Sequence, residues 1–246
     1  MTTPAPGWLG EPGISPAIPR NWYSAGDGAT DYWAKTGITD IASPSGLPVD
    51  ILVLASVSPI AASDFVFSLS DGAANTESVY VYSSAAGAIS VVGRTGGVTK
   101  ISVSTGDGYD DGVVRLYHFR VDTLATSRIY VNGASVGVNG TSLAWGGPTG
   151  LDQVIVGAGY DGSTPLLGNI HRAAVHKGAV DPQLAWALVN RSWASLKLDH
   201  VWYFGDRIPG TPKDTATTAY DSGVAATRWN LTAAGTPTLT YGTTIL

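Results

Sequence analysis

Asp64-Phe65-Val66-Phe67-Ser68-Leu69, Ser78-Val79-Tyr80-Val81-Tyr82 and Ala88-Ile89-Ser90-Val91-Val92 are three short runs separated by turns rich in glycine and aspartate. Their residues alternate in character with a period of two. An extended chain turns successive side chains to opposite sides, so this period marks a half-buried β-strand rather than a helix. Asp71-Gly72 ends the first run and Gly87 sits in the turn before the third. Upstream, Val49-Asp50-Ile51-Leu52-Val53-Leu54-Ala55 is almost continuously apolar and is bounded by Pro48 and Pro59. Downstream come Lys100 to Val103, Val113 to Val121, Arg128 to Val131 and Gln153 to Val156. Short β-rich segments spaced about ten residues apart are the signature of a sandwich or barrel. The expected fold is all-β, with two antiparallel sheets stacked face to face.

Composition agrees with this reading. The 246 residues are long enough for one large β domain. Charged residues make up 13% of the chain, well below the usual quarter, while 31 glycines and 14 prolines supply turns. The net charge of -5 contains no block of one sign, which argues against nucleic acid as a partner. No run approaches the roughly 20 apolar residues of a membrane span, so a membrane partner is not expected either. The absence of cysteine removes disulfides and thiolate metal sites. The first residues have neither the basic nor the apolar region of a signal peptide.

Residues 1–20 hold Pro4, Pro6, Pro12, Pro16 and Pro19. That density breaks any strand ladder, so the segment reads as an extended arm ahead of a single domain over 21–246. One short helix is expected near 181–196. Asp181 supplies an N-cap and Pro182 the first helical position, and Leu184, Leu188, Val189 and Trp193 recur at helical spacing. His200 to Phe204 and Arg228 to Leu246 read as further strands, belonging to the same domain or extending it.

Several motifs in order resemble the laminin-G-like, concanavalin A-type lectin/glucanase domain. Asp111-Gly112 opens a strand ending in Phe119-Arg120-Val121-Asp122. Arg128-Ile129-Tyr130-Val131-Asn132-Gly133-Ala134-Ser135-Val136-Gly137 matches the family's hairpin, with Asn132-Gly133 suited to a type I′ turn. Val154-Ile155-Val156-Gly157 and Leu167 to His176 resemble two later strands, and Gly178-Ala179-Val180-Asp181 resembles the entry to the helix. The family often has Trp-His after the Asp-Gly turn, where this chain has Val113-Val114. The segment Trp202 to Leu239 resembles an opening strand region, yet it lies late in the chain. The resemblance implies a jelly-roll sandwich. It also implies similarity to modules of bacteriophage virion proteins, including capsid decoration subunits and head or tail fibres.

Catalysis finds little support. Retaining glycoside hydrolysis uses two carboxylates about 5–5.5 Å apart. Glu11 and Glu77 are the only glutamates, and no acidic i, i+2, i+4 run exists. The four histidines, His118, His171, His176 and His200, show no metal-binding spacing and read as satisfied or surface side chains. There is no G-x-S-x-G elbow. No cofactor is expected, apart from calcium as the resemblance suggests it, with Asp107, Asp110 and Asp111 as ligand candidates. Carbohydrate binding would use exposed aromatic faces with Asp or Asn beside them. Trp145, Tyr160 and Asp161 are candidates. Tyr80 and Tyr82 share one strand face, where they line a groove or pack. Trp8, Trp22, Trp33 and Trp145 read as arm or loop residues, and Trp186, Trp193, Trp202 and Trp229 as core or helix-packing residues.

The leading expectation is a non-enzymatic structural protein located in a virion, a capsid decoration or head/tail appendage subunit. Its partners would be major capsid or other virion proteins and further copies of itself. Trp8, Leu9, Ile14, Ile18 and Trp22 would form the assembly arm. The alternative is a lectin-like module that attaches to cell-surface glycans, with or without calcium. A glycoside hydrolase is the remote third reading.

Overall fold

A computed structural model describes residues 22–38, 49–59, 63–72, 76–121, 127–142, 150–189, 193–204, 218–225 and 227–241. It is an all-β sandwich of two antiparallel sheets, as the period-two runs require. The first sheet runs β10 (Ala134–Ser135), β9 (Arg128–Val131), β8 (Arg115–Val121), β3 (Val49–Val57), β13 (Leu167–Lys177), β1 (Trp22–Asp27) and β17 (Thr238–Tyr241). β14 (His200–Trp202) also pairs with β13. The second runs β11 (Val138–Ser142), β7 (Val98–Ser104), β6 (Ile89–Thr95), β5 (Ser78–Ser83), β4 (Asp64–Ser70), β12 (Gln153–Val156), β2 (Tyr32–Thr36), β16 (Leu231–Ala234) and β15 (Thr218–Ala219).

The main core fills the space between the sheets. Ile51, Val53, Phe67, Val81, Val91 and Phe119 are among its members. A second apolar cluster lies on the far side of the first sheet. There Leu52, Leu54, Leu116 and Ala174 pack under Ala185, Val189 and Trp193. β3 is therefore buried at all nine positions, because both of its faces are covered. This explains why its sequence is apolar at every position but Asp50 and Ser56 while β5 alternates.

The helical segment is present but divided. α1 spans Pro182–Ala187, capped by Asp181, whose carboxylate accepts from the backbone N–H of Gln183 and Leu184. A separate 3-10 turn covers Trp193–Leu196. The buried face is Ala185, Val189 and Trp193, and Leu184 is 48% exposed, contrary to the expected stripe. Arg172 on β13 fixes the segment, lying 5.8 Å from the Trp193 ring and 5.1 Å from the Tyr203 ring, while its Nη1 donates to the Val189 carbonyl at 2.8 Å.

The late strands are built into the domain. β17 pairs with β1 and β16 with β2, so in each sheet an early strand is paired with a late one. β1 and β2 were not foreseen. Trp33, expected in a loop, lies in β2 at 1% exposure. The hairpin turn is as expected: Asn132 (φ 50°) and Gly133 (φ 82°) both hold positive φ between β9 and β10. Among the described residues no helix is long and apolar enough to cross a membrane.

Two buried carboxylates tie distant segments together. Asp50 accepts from His118 Nε2 at 2.8 Å, from Arg120 Nε and Nη2 at 3.1 and 2.9 Å, and from the Val180 N–H at 2.7 Å. Asp221 meets His200 Nδ1 at 2.6 Å and accepts the N–H groups of Val201, Gly223 and Trp229. The His200 ring stacks on Trp229, with centroids 3.5 Å apart. Burial pushes both carboxyls up, but these hydrogen bonds outweigh it and hold them below the ordinary value of 3.8.

Carboxyls with lowered folded values contribute stability that is complete above their unfolded titration range and is lost as pH falls through the folded values. The part of the urea midpoint that these carboxyls contribute should therefore be complete near neutrality and be lost below about pH 4. Asp221→Ala should cost about 3 kcal/mol at pH 7, since it strands buried donors. It should also flatten part of the acid decline. A variant with wild-type midpoints at every pH would refute this role.

Candidate functional site

The sheets differ in what lies on their outer faces. The outer face of the first is covered by α1 and the 3-10 turn. The described residues place no helix over the outer face of the second. Its side chains follow from the pleat: Val79 and Val81 enter the core, so Ser78, Tyr80 and Tyr82 project the other way. Register extends this face sideways. Tyr80 stands opposite Ser68 and Val92, and Ser78 opposite Ser70 and Arg94.

Three half-buried rings form its centre. Phe65 lies 5.4 Å from Tyr80 and 6.0 Å from Tyr82, and the two tyrosines are 6.1 Å apart. Their planes are tilted by 43° to 58°, so they form a contoured apolar surface rather than a stack. A register shift between Phe65 and Phe67 brings Phe65 opposite Tyr82 while Phe67 stays in the core.

The turn after β12 borders this cluster. The Phe65 N–H donates to the Thr164 carbonyl at 3.1 Å, and a Cβ on Gly159 would lie 3.3 Å from the Phe65 ring. Gly162 has φ 77°, and a Cβ there would meet the Tyr32 hydroxyl at 2.6 Å, so this turn needs glycine. Burial pushes the Tyr80 hydroxyl above its ordinary value of 10; the nearby Arg94 opposes this, and Tyr82 and Tyr160 add to it. Tyr80 therefore remains a neutral hydrogen-bond donor at physiological pH.

Of the expected carbohydrate residues, Tyr160 is close enough to act on the Tyr80 hydroxyl, and Asp161 follows it in the turn after β12. Asp161 accepts from the Ser163 N–H at 2.9 Å. Burial pushes its carboxyl up, and the Ser163 hydrogen bonds bring it below 3.8. Trp145 lies outside the described residues. The aspartates proposed for calcium are divided among separate tasks. Asp111 grips Arg115 at 2.6 and 2.8 Å, which brings its carboxyl down to about 2. Asp110 lies over Gly87, where a Cβ would come 2.2 Å from its Oδ1, and Asp107 is exposed. Among the described residues no three His, Asp or Glu side chains gather as a metal set.

Trp8, Leu9, Ile14 and Ile18 of the arm also lie outside the described residues. The Trp22 backbone opens β1, opposite Tyr241. His118 and His200 are buried with aspartate partners, and half-buried His176 lies 3.0 Å from Asp199. His171 is buried, and desolvation together with the Arg172 charge lowers its value to about 4. Sequence reasoning did not single out Phe65 or Arg94. Neither carries a signal in its own run: Phe65 shares the parity of the core residues Phe67 and Leu69 until the register shift turns it outward, and Arg94 lies beyond the run Ala88 to Val92.

No protein-family profile and no curated protein sequence matches this chain. Solved structures do. A putative carbohydrate binding protein from Bacteroides ovatus superposes with a TM-score of 0.60 at 14% identity, over 92% of this chain and 61% of its own. The CBM40 module of the Ruminococcus gnavus IT-sialidase, bound to alpha2,3 sialyllactose, gives 0.47 at 16% identity over 58% of this chain and 82% of its own. A SAP-like pentraxin from Limulus polyphemus gives 0.48 at 10% identity over 69% and 82%. At these identities the likeness is one of fold.

The surroundings of Tyr80 make a measurable difference. Subtracting the ultraviolet phenolate titration of Tyr80→Phe from that of the wild type should give a curve centred above pH 10. A difference curve centred at or below 10 would mean that the Tyr80 ring is freely solvated.

Proposed function

We propose that this chain is a non-catalytic carbohydrate-binding module, and that glycans lie on the outer face of the nine-stranded sheet. The observation that carries this reading is the aromatic cluster Phe65, Tyr80 and Tyr82, which no described helix covers and which is bordered by Tyr160 and Asp161. Sugar rings present C–H faces that stack on aromatic side chains, while their hydroxyls need donors and acceptors. Tyr80 supplies a donor and the Asp161 carboxylate an acceptor. The fold shared with a putative carbohydrate binding protein agrees with this use of the sheet.

Binding here stacks a sugar against preformed rings held by β4 and β5, so little side-chain freedom is lost on contact. No bond is broken in the process. The His118–Asp50 and His200–Asp221 pairs are buried structural ties, and Glu77 is held by Thr95 Oγ1 and the Gly96 N–H. The virion-assembly reading depends on the arm over residues 1–20, outside the described residues, and receives no comparable support.

A glycan array followed by titration calorimetry tests the proposal. At least one oligosaccharide class should bind, and Tyr80→Ala or Phe65→Ala should weaken it about tenfold. Chelator should leave the affinity unchanged. An array blank across neutral and acidic glycans, or full affinity retained by both variants, would overturn the reading.

A further inference from the structure

On the same face, one step along the strands from Tyr80, polar groups stand without partners. Ser70, Ser78 and Arg94 form a cross-strand row over β4, β5 and β6. Ser70 and Ser78 are both 0% exposed, and neither hydroxyl has a hydrogen-bond partner. Arg94 Nε is buried and also lacks one. The guanidinium is held at one point, where Nη2 donates to the Gly97 carbonyl at 2.5 Å. Among the described residues no carboxylate pairs with Arg94. Glu77 is the acid nearest in sequence to Ser78, and it is engaged by Thr95 and Gly96 instead.

A half-buried guanidinium without a counter-ion is costly, as is each buried hydroxyl left unbonded. In native proteins such groups usually have partners, so three in one row call for an explanation. An arriving anion would pair with the half-buried guanidinium directly, and with the serine hydroxyls, both at 0% exposure, once the side chains over them shift aside. The guanidinium is a planar fork suited to carboxylate or sulfate oxygens, and the serine hydroxyls beside it are further donors. Arg94 is close enough for its charge to act on the Tyr80 hydroxyl, so a ligand stacked on the aromatic cluster would present its next substituent there.

We propose that Arg94, with Ser78 and Ser70, is an anion subsite of this face and takes the carboxylate or sulfate of an acidic glycan. This rests on the glycan reading above and specifies its ligand class. The guanidinium fixes the charged group while the rings hold the sugar face. Specificity for acidic over neutral chains follows, because a neutral sugar leaves the row unsatisfied.

The test uses the purified full chain and matched probes. These are oligogalacturonate with its methyl ester for the carboxylate arm, and sulfated with unsulfated galactan oligomers for the sulfate arm. One acidic member should bind about tenfold or more tighter than its neutral counterpart, with affinity falling as salt rises. Arg94→Ala should abolish that preference, Arg94→Lys should restore part of it, and Ser78→Ala should weaken acidic binding several-fold. Thermal melts of each variant identify any loss caused by unfolding, and the lysine variant keeps the charge where the alanine variant proves unstable. Equal binding of both members of each pair, or a preference that survives Arg94→Ala in a folded protein, overturns the proposal. If neutral probes bind and depend on Tyr80 without any acid preference, the glycan reading stands and this one falls. If no probe of either kind binds and the glycan array is blank as well, both fall.

Discussion

A strand has two sides, and burying one dictates the other. Once Val79, Val81, Val91 and Val103 are committed to the interior, their neighbours Tyr80, Tyr82, Val92 and Ser102 must stand on the reverse of the sheet. The sandwich resolves this constraint in two ways. On the first sheet the reverse side is buried again, under α1 and the 3-10 turn, and its residues are largely apolar. On the second sheet the described residues supply no such cover, and the file is a mixture of serine, tyrosine and arginine. The asymmetry between the sheets gives one a structural back and the other a chemically diverse surface. A shift of register by one residue would exchange the two files and abolish both core and surface.

Carboxylates fasten the sandwich where cysteines are absent. Asp50 joins neighbouring strands to the segment before α1, reaching Val180 across 130 residues of chain. Asp221 gathers His200, Gly223 and Trp229 beneath the late strands. Both carboxylates have their oxygens occupied by donors, so each is ionised within the protein without a stranded charge. Such ties hold well near neutrality and weaken in acid, which makes proton concentration a natural measure of their contribution.

Much of the architecture could be read from the chain because it is encoded locally. From Val49 to Val156 most strands announce themselves by alternation or apolar continuity, with β11 and its Asn139-Gly140 an exception, and Asn132-Gly133 marks a turn by residue type alone. β1 and β2 lack that clarity: Trp22–Asp27 contains Ala25-Gly26 and follows a proline-rich stretch, and Trp33 stands in only five residues of strand. The helix was located by its cap, and Val189 and Trp193 are buried as the spacing predicts, whereas Ala185 takes the buried place expected of Leu184. Tyr80, Tyr82 and Tyr160 could be suspected individually. Phe65 beside them, and the row Ser70–Ser78–Arg94, exist only through strand register, which no single run contains. The histidine–aspartate ties were equally hidden, with His118 and Asp50 separated by 68 residues.

The interleaving of early and late strands bears on how the molecule comes into being. β1 finds β17 and β2 finds β16 only when segments about 200 residues apart meet, as the bond between Asp31 and Thr236 across 205 residues illustrates. Closing loops of that size is entropically demanding, and sandwiches dominated by non-local pairing fold in milliseconds to seconds. While a nascent chain is being made, β1 and β2 therefore wait with open hydrogen-bonding edges until β16 and β17 have been synthesised. Unpaired edges recruit other chains. Shortening the synthesis product before β16 would leave such edges permanently open, so the last strands guard solubility as much as they add stability.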